Sequence, residues 1–168
     1  MTMTATTTAT TTATTTARHP LDLPAATYTY LERAARSLRE AITTSDVPQR
    51  YAQAHVSALQ ATAALLAARA TATGGRPTRG RAAQKNAWVL LAEVAPELAE
   101  WAGFFAAGAG KRAAAEAGSR RAVTEREADD LVRDADRFLG LVEQALGLTR
   151  HDPFHDVLPA PWGGGRVA

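Results

Sequence analysis

Residues Thr124–Leu148, TEREADDLVRDADRFLGLVEQALGL, show the clearest secondary-structure signal in the chain. Thr124 and Glu127 have the spacing of a capping box, in which two side chains satisfy backbone N–H groups at a helix start. Apolar residues then recur every three or four positions, which is typical of a helix with one buried face. These positions are Ala128, Leu131, Val132, Ala135, Phe138, Leu139, Val142 and Leu146. The pattern predicts a helix from about Glu125 to Leu148.

Helical patterns also fill most of the chain before this segment. A first helix is predicted over about 24–42, and a second runs to about Arg69 after the cap-forming residues Ser45 and Asp46. The predicted core stripe of this second helix is Ala52, Val56, Leu59, Ala63 and Leu66. Since proline interrupts a helix, a third helix should end near Val94 and a fourth should run from about Pro96 to Gly118. No segment alternates convincingly with a period of two, so the predicted fold class is all-α, a compact bundle of four to five helices.

Two stretches fall outside the predicted bundle, which covers residues 21–149. Residues 1–20, MTMTATTTATTTATTTARHP, have almost no large apolar groups with which to offset the entropy of ordering, and we expect a disordered arm. Residues 150–168 hold three prolines and a glycine run, which predicts an irregular tail. One domain is the expectation for a chain of 168 residues.

Composition excludes several classes of function. The chain has no cysteine, which rules out disulfides, thiolate metal sites and a cysteine nucleophile. No signal peptide or membrane span is evident, and we expect a cytoplasmic protein without contact to a membrane. We also expect no cofactor and no metal. The carboxylates Glu93, Glu97 and Glu100 lack the Glu-x-x-His pairs of dimetal bundles, and Pro153 interrupts the spacing of His151 and His155, which are interpreted as incidental residues of the tail.

Basic residues are concentrated in loops although the formal net charge is only +2. The long Gly- and Arg-rich connection over 71–86 holds the predicted RNA-binding residues, which are Arg76, Arg79, Arg81 and Lys85. A second cluster lies around the end of the fourth helix and in the connection after it, and comprises Lys111, Arg112, Arg120, Arg121 and Arg126. The alternative is that both clusters are simply solvated loops.

The segment Arg50-Tyr51-Ala52-Gln53-Ala54-His55 has the form R-x4-H and resembles the ribonuclease motif of HEPN domains. The segments RYAQAHVSALQATAALLAAR, AWVLLAEVAPELAEWAGFFAAGAGKRAAAEAG and READDLVRDADRFLGLVE are similar to a small HEPN family of high-GC bacteria. The resemblance extends over roughly 31–146. It implies a compact bundle of four or five helices.

The resemblance also implies a metal-independent ribonuclease activity in some members, with two motifs meeting across a dimer. His55 would then act as general acid or base, and Arg50 would stabilise the phosphate. Active members usually carry the motif on the last helix, with a polar residue after the arginine, and Arg50 departs from both rules. A second match, from Arg150 to His155, is placed late in the chain but contains a proline. The alternative for Arg50 and His55 is an ordinary helix-start charge and a histidine on the flank of the buried stripe.

Three functions follow as hypotheses. The first is a non-catalytic HEPN module that dimerises and binds RNA or nucleotide, in a toxin–antitoxin or stress system. The second is an active HEPN endoribonuclease, and the third is a structural adaptor that docks a protein partner. A homodimer through the third and fourth helices is expected, because their aromatic residues exceed what a short bundle readily buries. Those aromatic residues are Trp88, Trp101, Phe104 and Phe105.

Overall fold

The computed structural model describes residues 23–72 and 86–153, together with the side chains of all of them except 71 and 72. All regular structure in these two segments is helical. The helices are α1 (Ala25–Thr43), α2 (Val47–Ala72), α3 (Ala87–Val94), a 3₁₀ turn (Pro96–Leu98), α4 (Ala99–Glu116) and α5 (Glu125–Ala145). The predicted all-α bundle is confirmed. The Thr/Ala arm and most of the tail lie outside the described residues.

Helix α2 is the centre of the bundle and packs against α1, α3, α4 and α5. Alanine covers much of its surface, so neighbouring helices approach closely, and the Ser57 hydroxyl donates to the Ala34 carbonyl of α1 over 2.9 Å. The predicted core stripe is wrong in its orientation, since of its five residues only Ala52 is buried. The fully buried positions of α2 are Ala54, His55, Ser57, Ala58, Ala61, Thr62, Ala64 and Leu65.

A break at Pro96 divides the apolar segment after residue 86, as predicted. Asn86 caps α3 by accepting a hydrogen bond from the backbone N–H of Trp88, 3.1 Å away. Pro96 opens the 3₁₀ turn, where its missing N–H costs no helical hydrogen bond. Helices α3 and α4 then pack against each other and against α2.

Helix α5 begins with the capping box that the sequence predicts. The Thr124 hydroxyl accepts from the backbone N–H of Glu127, while the Glu127 carboxylate accepts from the backbone N–H of Thr124. The helix ends at Ala145 rather than Leu148, because Gly147 adopts a φ of +74° that turns the chain away. Gly118, with a φ of +83°, has the same role after α4.

The aromatic residues of α3 and α4 are better buried than expected. Trp88 is 3% exposed and Phe105 is fully buried, and their rings stack with centroids 5.3 Å apart. The premise that this bundle cannot bury them is therefore wrong. Phe104 is the exception, with 47% of its surface exposed.

Candidate functional site

His55 lies in the third turn of α2, inside the bundle, and only 1% of its surface is exposed. Its ring packs edge-on against Trp88 and Phe105, with centroids 5.6 and 5.8 Å away. Nε2 lies 2.9 Å from the Phe105 carbonyl oxygen and donates a hydrogen bond to it. The predicted position of His55, on the flank of the buried stripe, is wrong because α2 is covered on almost every side.

Burial lowers the pKa of His55 from its ordinary value, since the charged imidazolium would lose its hydration inside the bundle. The hydrogen bond to the Phe105 carbonyl opposes this effect only in part, and the nearby Arg112 lowers the pKa further. The neutral ring carries its proton on Nε2, as this hydrogen bond requires. Nδ1 is buried and has no hydrogen-bond partner in the described part of the chain.

Arg50 lies in the first turn of α2 and directs its side chain toward α5. Its Nη1 is 2.5 Å from Oδ1 of Asp129, and its Nε and Nη2 donate to the Thr44 carbonyl oxygen at 3.4 and 3.2 Å. The guanidinium thus joins the connection before α2 to the start of α5. His55 instead contacts α3 and α4, and the two residues share no hydrogen-bond or ring partner among the described residues. The motif spacing does not join them into one site within this chain.

A cavity of about 240 Å³ opens beside His55. Its lining includes Tyr51, Phe104, Gly108 and Lys111. Gly108 lets α4 lie close to α2 here, because a Cβ atom at this position would lie 2.9 Å from the Tyr51 hydroxyl and 3.5 Å from Cδ2 of His55. Sequence reasoning did not identify these neighbours, and the only local signal was a glycine in the interior of a predicted helix.

The cavity adjoins a wider groove of about 450 Å³ between α4 and α5. Tyr51, Phe104, Lys111 and Leu131 line both spaces. The rest of the groove is charged, with Glu127, Asp130, Arg133, Asp134 and Arg137.

Ion pairs neutralise much of the charge in this groove. The ammonium of Lys111 pairs with Glu127, and this contact raises the pKa of Lys111. The same contact, with the capping hydrogen bonds of Thr124, lowers the pKa of Glu127 to about 2. Arg133 pairs with Asp130. The groove therefore presents balanced charge to a ligand.

The second R-x4-H match is described only as far as Pro153, and His155 lies outside the described residues. Arg150 rests on Gly140 of α5, where an added Cβ atom would collide with the arginine Nε. His151 is held between two carboxylates of α5, with Nδ1 2.7 Å from Glu143 and Nε2 3.0 Å from Asp136. The interpretation of His151 as an incidental residue is wrong.

These contacts raise the pKa of His151 to about 9, because both carboxylates stabilise the imidazolium. Asp136 is 2% exposed, and the protonated histidine balances its buried charge. Both ring nitrogens are engaged on opposite edges, so Asp136 and Glu143 do not converge on a point where a metal ion could bind.

Only the second of the two basic clusters lies within the residues that the structure describes. Arg76, Arg79, Arg81 and Lys85 lie outside the described residues. In the second cluster Arg112 approaches Glu116, and Arg126 approaches Asp130, each at 3.8 Å. Arg120 and Arg121 are exposed and form no ion pair with the described part of the chain.

The described residues form neither a metal site nor a membrane span. No group of three His, Cys, Asp or Glu side chains in 23–72 or 86–153 could hold a metal ion. Of the carboxylates Glu93, Glu97 and Glu100, Glu97 lies in the 3₁₀ turn and forms an ion pair with Arg69 of α2 at 2.5 Å. None of the described helices is long and apolar enough to cross a membrane.

Comparison with known proteins finds one family. Residues 41–143 match the model of the SAV_6107-like HEPN family, and this region contains α2 to α4 and nearly all of α5. No curated protein and no solved structure matches the chain. The match covers more than half of the sequence and agrees with the all-helical bundle described above. The chain therefore belongs to the SAV_6107-like HEPN family.

Proposed function

We propose that the protein is a non-catalytic HEPN module that dimerises and binds RNA or nucleotide. The observation that carries the non-catalytic part is the position of His55. A general acid or base must come within hydrogen-bond reach of the hydroxyl on which it acts. His55 is buried, its Nε2 is bonded to the Phe105 carbonyl, and Arg50 is bonded to a different part of the bundle. Both side chains have structural roles that account for their placement.

RNA binding is supported by two arginines that form no ion pair with the described part of the chain. Arg120 and Arg121 are exposed in the connection between α4 and α5. Arg126, in the first turn of α5, is also exposed, although its Nε lies 3.8 Å from Asp130. Guanidinium groups bind phosphate oxygens through paired hydrogen bonds. We include the loop residues Arg76, Arg79, Arg81 and Lys85 in this surface on the strength of the sequence alone.

The binding proposal is tested by titrating single-stranded RNA on a filter at several salt concentrations. Affinity should fall as salt rises, with a log–log slope of about 0.7 per contacted phosphate. Replacing Arg76, Arg79 and Arg81 with alanine should weaken binding and flatten this slope, as should replacing Arg120 and Arg121. A matched control replaces Arg36 and Arg39, which are exposed on α1, and should change neither quantity. Absence of saturable binding at micromolar protein would remove the RNA proposal.

An active endoribonuclease is the second proposal, and the cavity beside His55 favours it. Lys111, Tyr51 and His55 all line this cavity, so a movement of α4 that broke the bond from Nε2 to the Phe105 carbonyl would expose Nε2 to a phosphate there. A cleavage assay on total RNA, with and without chelator, separates the two proposals. His55→Gln keeps a donor for the Phe105 carbonyl but has no imidazole, and it should abolish any cleavage that uses His55. His155→Ala tests the second motif in the same assay.

A structural adaptor is the third proposal. Val89 and Val94 of α3 are 49% and 37% exposed, which is apolar surface that a protein partner could cover. Such an adaptor would bind neither RNA nor nucleotide, and the filter titration therefore distinguishes it from the first proposal.

A further inference from the structure

The outer face of α4 is apolar and uncovered in the described part of the chain. Residues 101–110, WAGFFAAGAG, contain no charged side chain, and Gly103, Phe104, Ala107 and Gly110 are exposed. A Cβ atom added at Gly103 or Gly110 would meet nothing within 4 Å. Nearly half of the Phe104 surface lies in solvent, although its two aromatic neighbours on α4 are partly buried (Trp101) and fully buried (Phe105).

The residues on this face are complementary to those of a second copy of α4 that runs antiparallel to the first. Glu100, Phe104, Ala107 and Lys111 follow one another at spacings of four, three and four. At about 100° per residue they lie on one side of the helix, within about 60° of one another. Glu100 is exposed and the Lys111 side chain is 50% exposed, so both charges are accessible. When two copies of the helix are aligned antiparallel, this pattern places Glu100 opposite Lys111 and Phe104 opposite Ala107.

We propose that two copies of the chain associate through antiparallel α4 helices, with the two-fold axis midway between Phe104 and Ala107. This inference rests on the dimerisation in the proposed function and specifies its interface. In this register Glu100 faces Lys111 of the partner subunit, and Phe104 packs against Ala107 of the partner subunit. A two-fold axis perpendicular to the helices keeps the same side of each helix in contact, so both pairs form twice.

The neighbouring side chains are compatible with this packing. Gly103, Ala107 and Gly110 have little or no side chain, which permits the short interaxial distances of close helix pairs, about 8 Å. Lys111 retains its contact with Glu127, because an ammonium has three donors and can serve two carboxylates. Interfaces favour exposed aromatic residues that have apolar surroundings, and Phe104 fits that description.

This register also determines where Arg120 and Arg121, in the connection after α4, lie in the dimer. Helix α4 ends at Glu116, roughly 16 Å along the helix from the axis at 1.5 Å per residue. The two copies of Arg120 and Arg121 then lie at opposite ends of the α4 pair. The dimer therefore presents two separate basic surfaces after α4.

Chemical cross-linking tests the register directly, because the chain has no native cysteine. The variants Glu100→Cys and Lys111→Cys are purified separately, mixed to allow subunit exchange, and treated with a short bismaleimide. The mixture should give a covalent dimer, whereas each variant alone should give little, since its two cysteines would be about 16 Å apart along the helix. Efficient cross-linking of either variant alone, with none gained on mixing, would overturn the register while dimerisation itself still stood.

Sedimentation of the full chain tests the surface independently. Ala107→Arg places a long cation beside the axis and should weaken the dimer roughly tenfold or more. Ala113→Arg makes the same change at an exposed position on a different side of α4 and should leave the dimer intact. Circular dichroism confirms that both variants are folded. A wild-type chain that is monomeric at tens of micromolar would overturn both the interface and the dimerisation, and a dimer that Ala107→Arg leaves unchanged would overturn the interface alone.

Discussion

His55 belongs to the R-x4-H motif, yet its side chain is buried in the core of the bundle. Its ring fills space between Trp88 and Phe105, and its Nε2 proton satisfies a backbone carbonyl that water does not reach. Histidine suits this place because it combines a flat ring with a donor. The same burial keeps the ring neutral, since the pKa of His55 is lowered.

We predict that His55→Ala lowers the free energy of unfolding by about 3 kcal/mol, because it leaves a cavity and an unsatisfied carbonyl. His55→Gln retains a donor and should lose less.

We also predict that His55 makes the stability of the fold depend on pH. Because the pKa of His55 is lowered in the folded state, its contribution to stability is present above its unfolded pKa of about 6.5. That contribution is lost as the pH falls below 6.5. Urea unfolding between pH 5 and 7.5 should show an acid loss of stability in the wild type that His55→Gln reduces. Equal acid sensitivity of the two proteins would contradict the buried, neutral histidine.

Two glycines of α4 have opposite environments, and we predict opposite effects of alanine at these positions. In dilute, monomeric protein, Gly103→Ala adds a methyl group that meets nothing within the chain, and it should raise the free energy of unfolding by about 0.5–1 kcal/mol through helix propensity. Gly108→Ala places a Cβ atom 2.9 Å from the Tyr51 hydroxyl, whose ring cannot move freely in the core. This collision outweighs the gain in helix propensity, so Gly108→Ala should lower the free energy of unfolding by about 1–3 kcal/mol. Thermal unfolding of the two variants side by side provides the measurement, and a stabilised Gly108→Ala would show that the cavity beside His55 is wider than described.

Among the secondary-structure elements, α5 does more than complete the bundle. Its start is joined to α2 through Asp129 and Arg50, and to α4 through Glu127 and Lys111. Its second half holds the segment that follows, because Asp136 and Glu143 bind His151 and Gly140 makes room for Arg150. Residues 150–153 are thereby attached to the helix although they have no regular structure of their own.

We predict that the contact of His151 with α5 weakens in alkali. The pKa of His151 is raised to about 9 in the folded state, so its stabilisation is complete below the unfolded pKa of about 6.5 and is lost as the pH rises through 9. The full shift corresponds to at most about 3 kcal/mol. His151→Gln cannot be charged and should remove most of the fall in stability between pH 6.5 and 9.5. Asp152→Asn, at an exposed neighbouring position, serves as the control and should keep the wild-type profile.

For the molecule as a whole, the bundle should not depend on the Thr/Ala arm. Residues 1–17 have almost no charge and no large apolar side chain beyond two methionines. Such a stretch offers little apolar surface to bury. We predict that deleting Met1 to Ala17 leaves the thermal midpoint almost unchanged, and that the truncated chain sediments in the same oligomeric state. A midpoint lowered by several degrees would show that the arm packs on the bundle.

The sequence by itself determined the helical elements and most of their ends. The capping box at Thr124 and the break at Pro96 depend on neighbouring residues, so local chemistry identifies them. The R-x4-H spacing and the apolar segment from Trp88 to Phe105 indicated the family, which the comparison confirmed. These features all lie within a few turns of chain, where periodicity and capping rules apply.

Only the tertiary structure decided which faces of the helices are buried and what the motif residues contact. Helix α2 is rich in alanine on all sides, so its hydrophobic period could not show that His55 faces the core rather than its edge. The bonds from Arg50 to Asp129 and from His151 to Asp136 join residues 79 and 15 positions apart, and no local pattern marks either pair. The physical reason is that burial and ion pairing depend on which helices pack together, and that choice is made by the whole core rather than by any one segment.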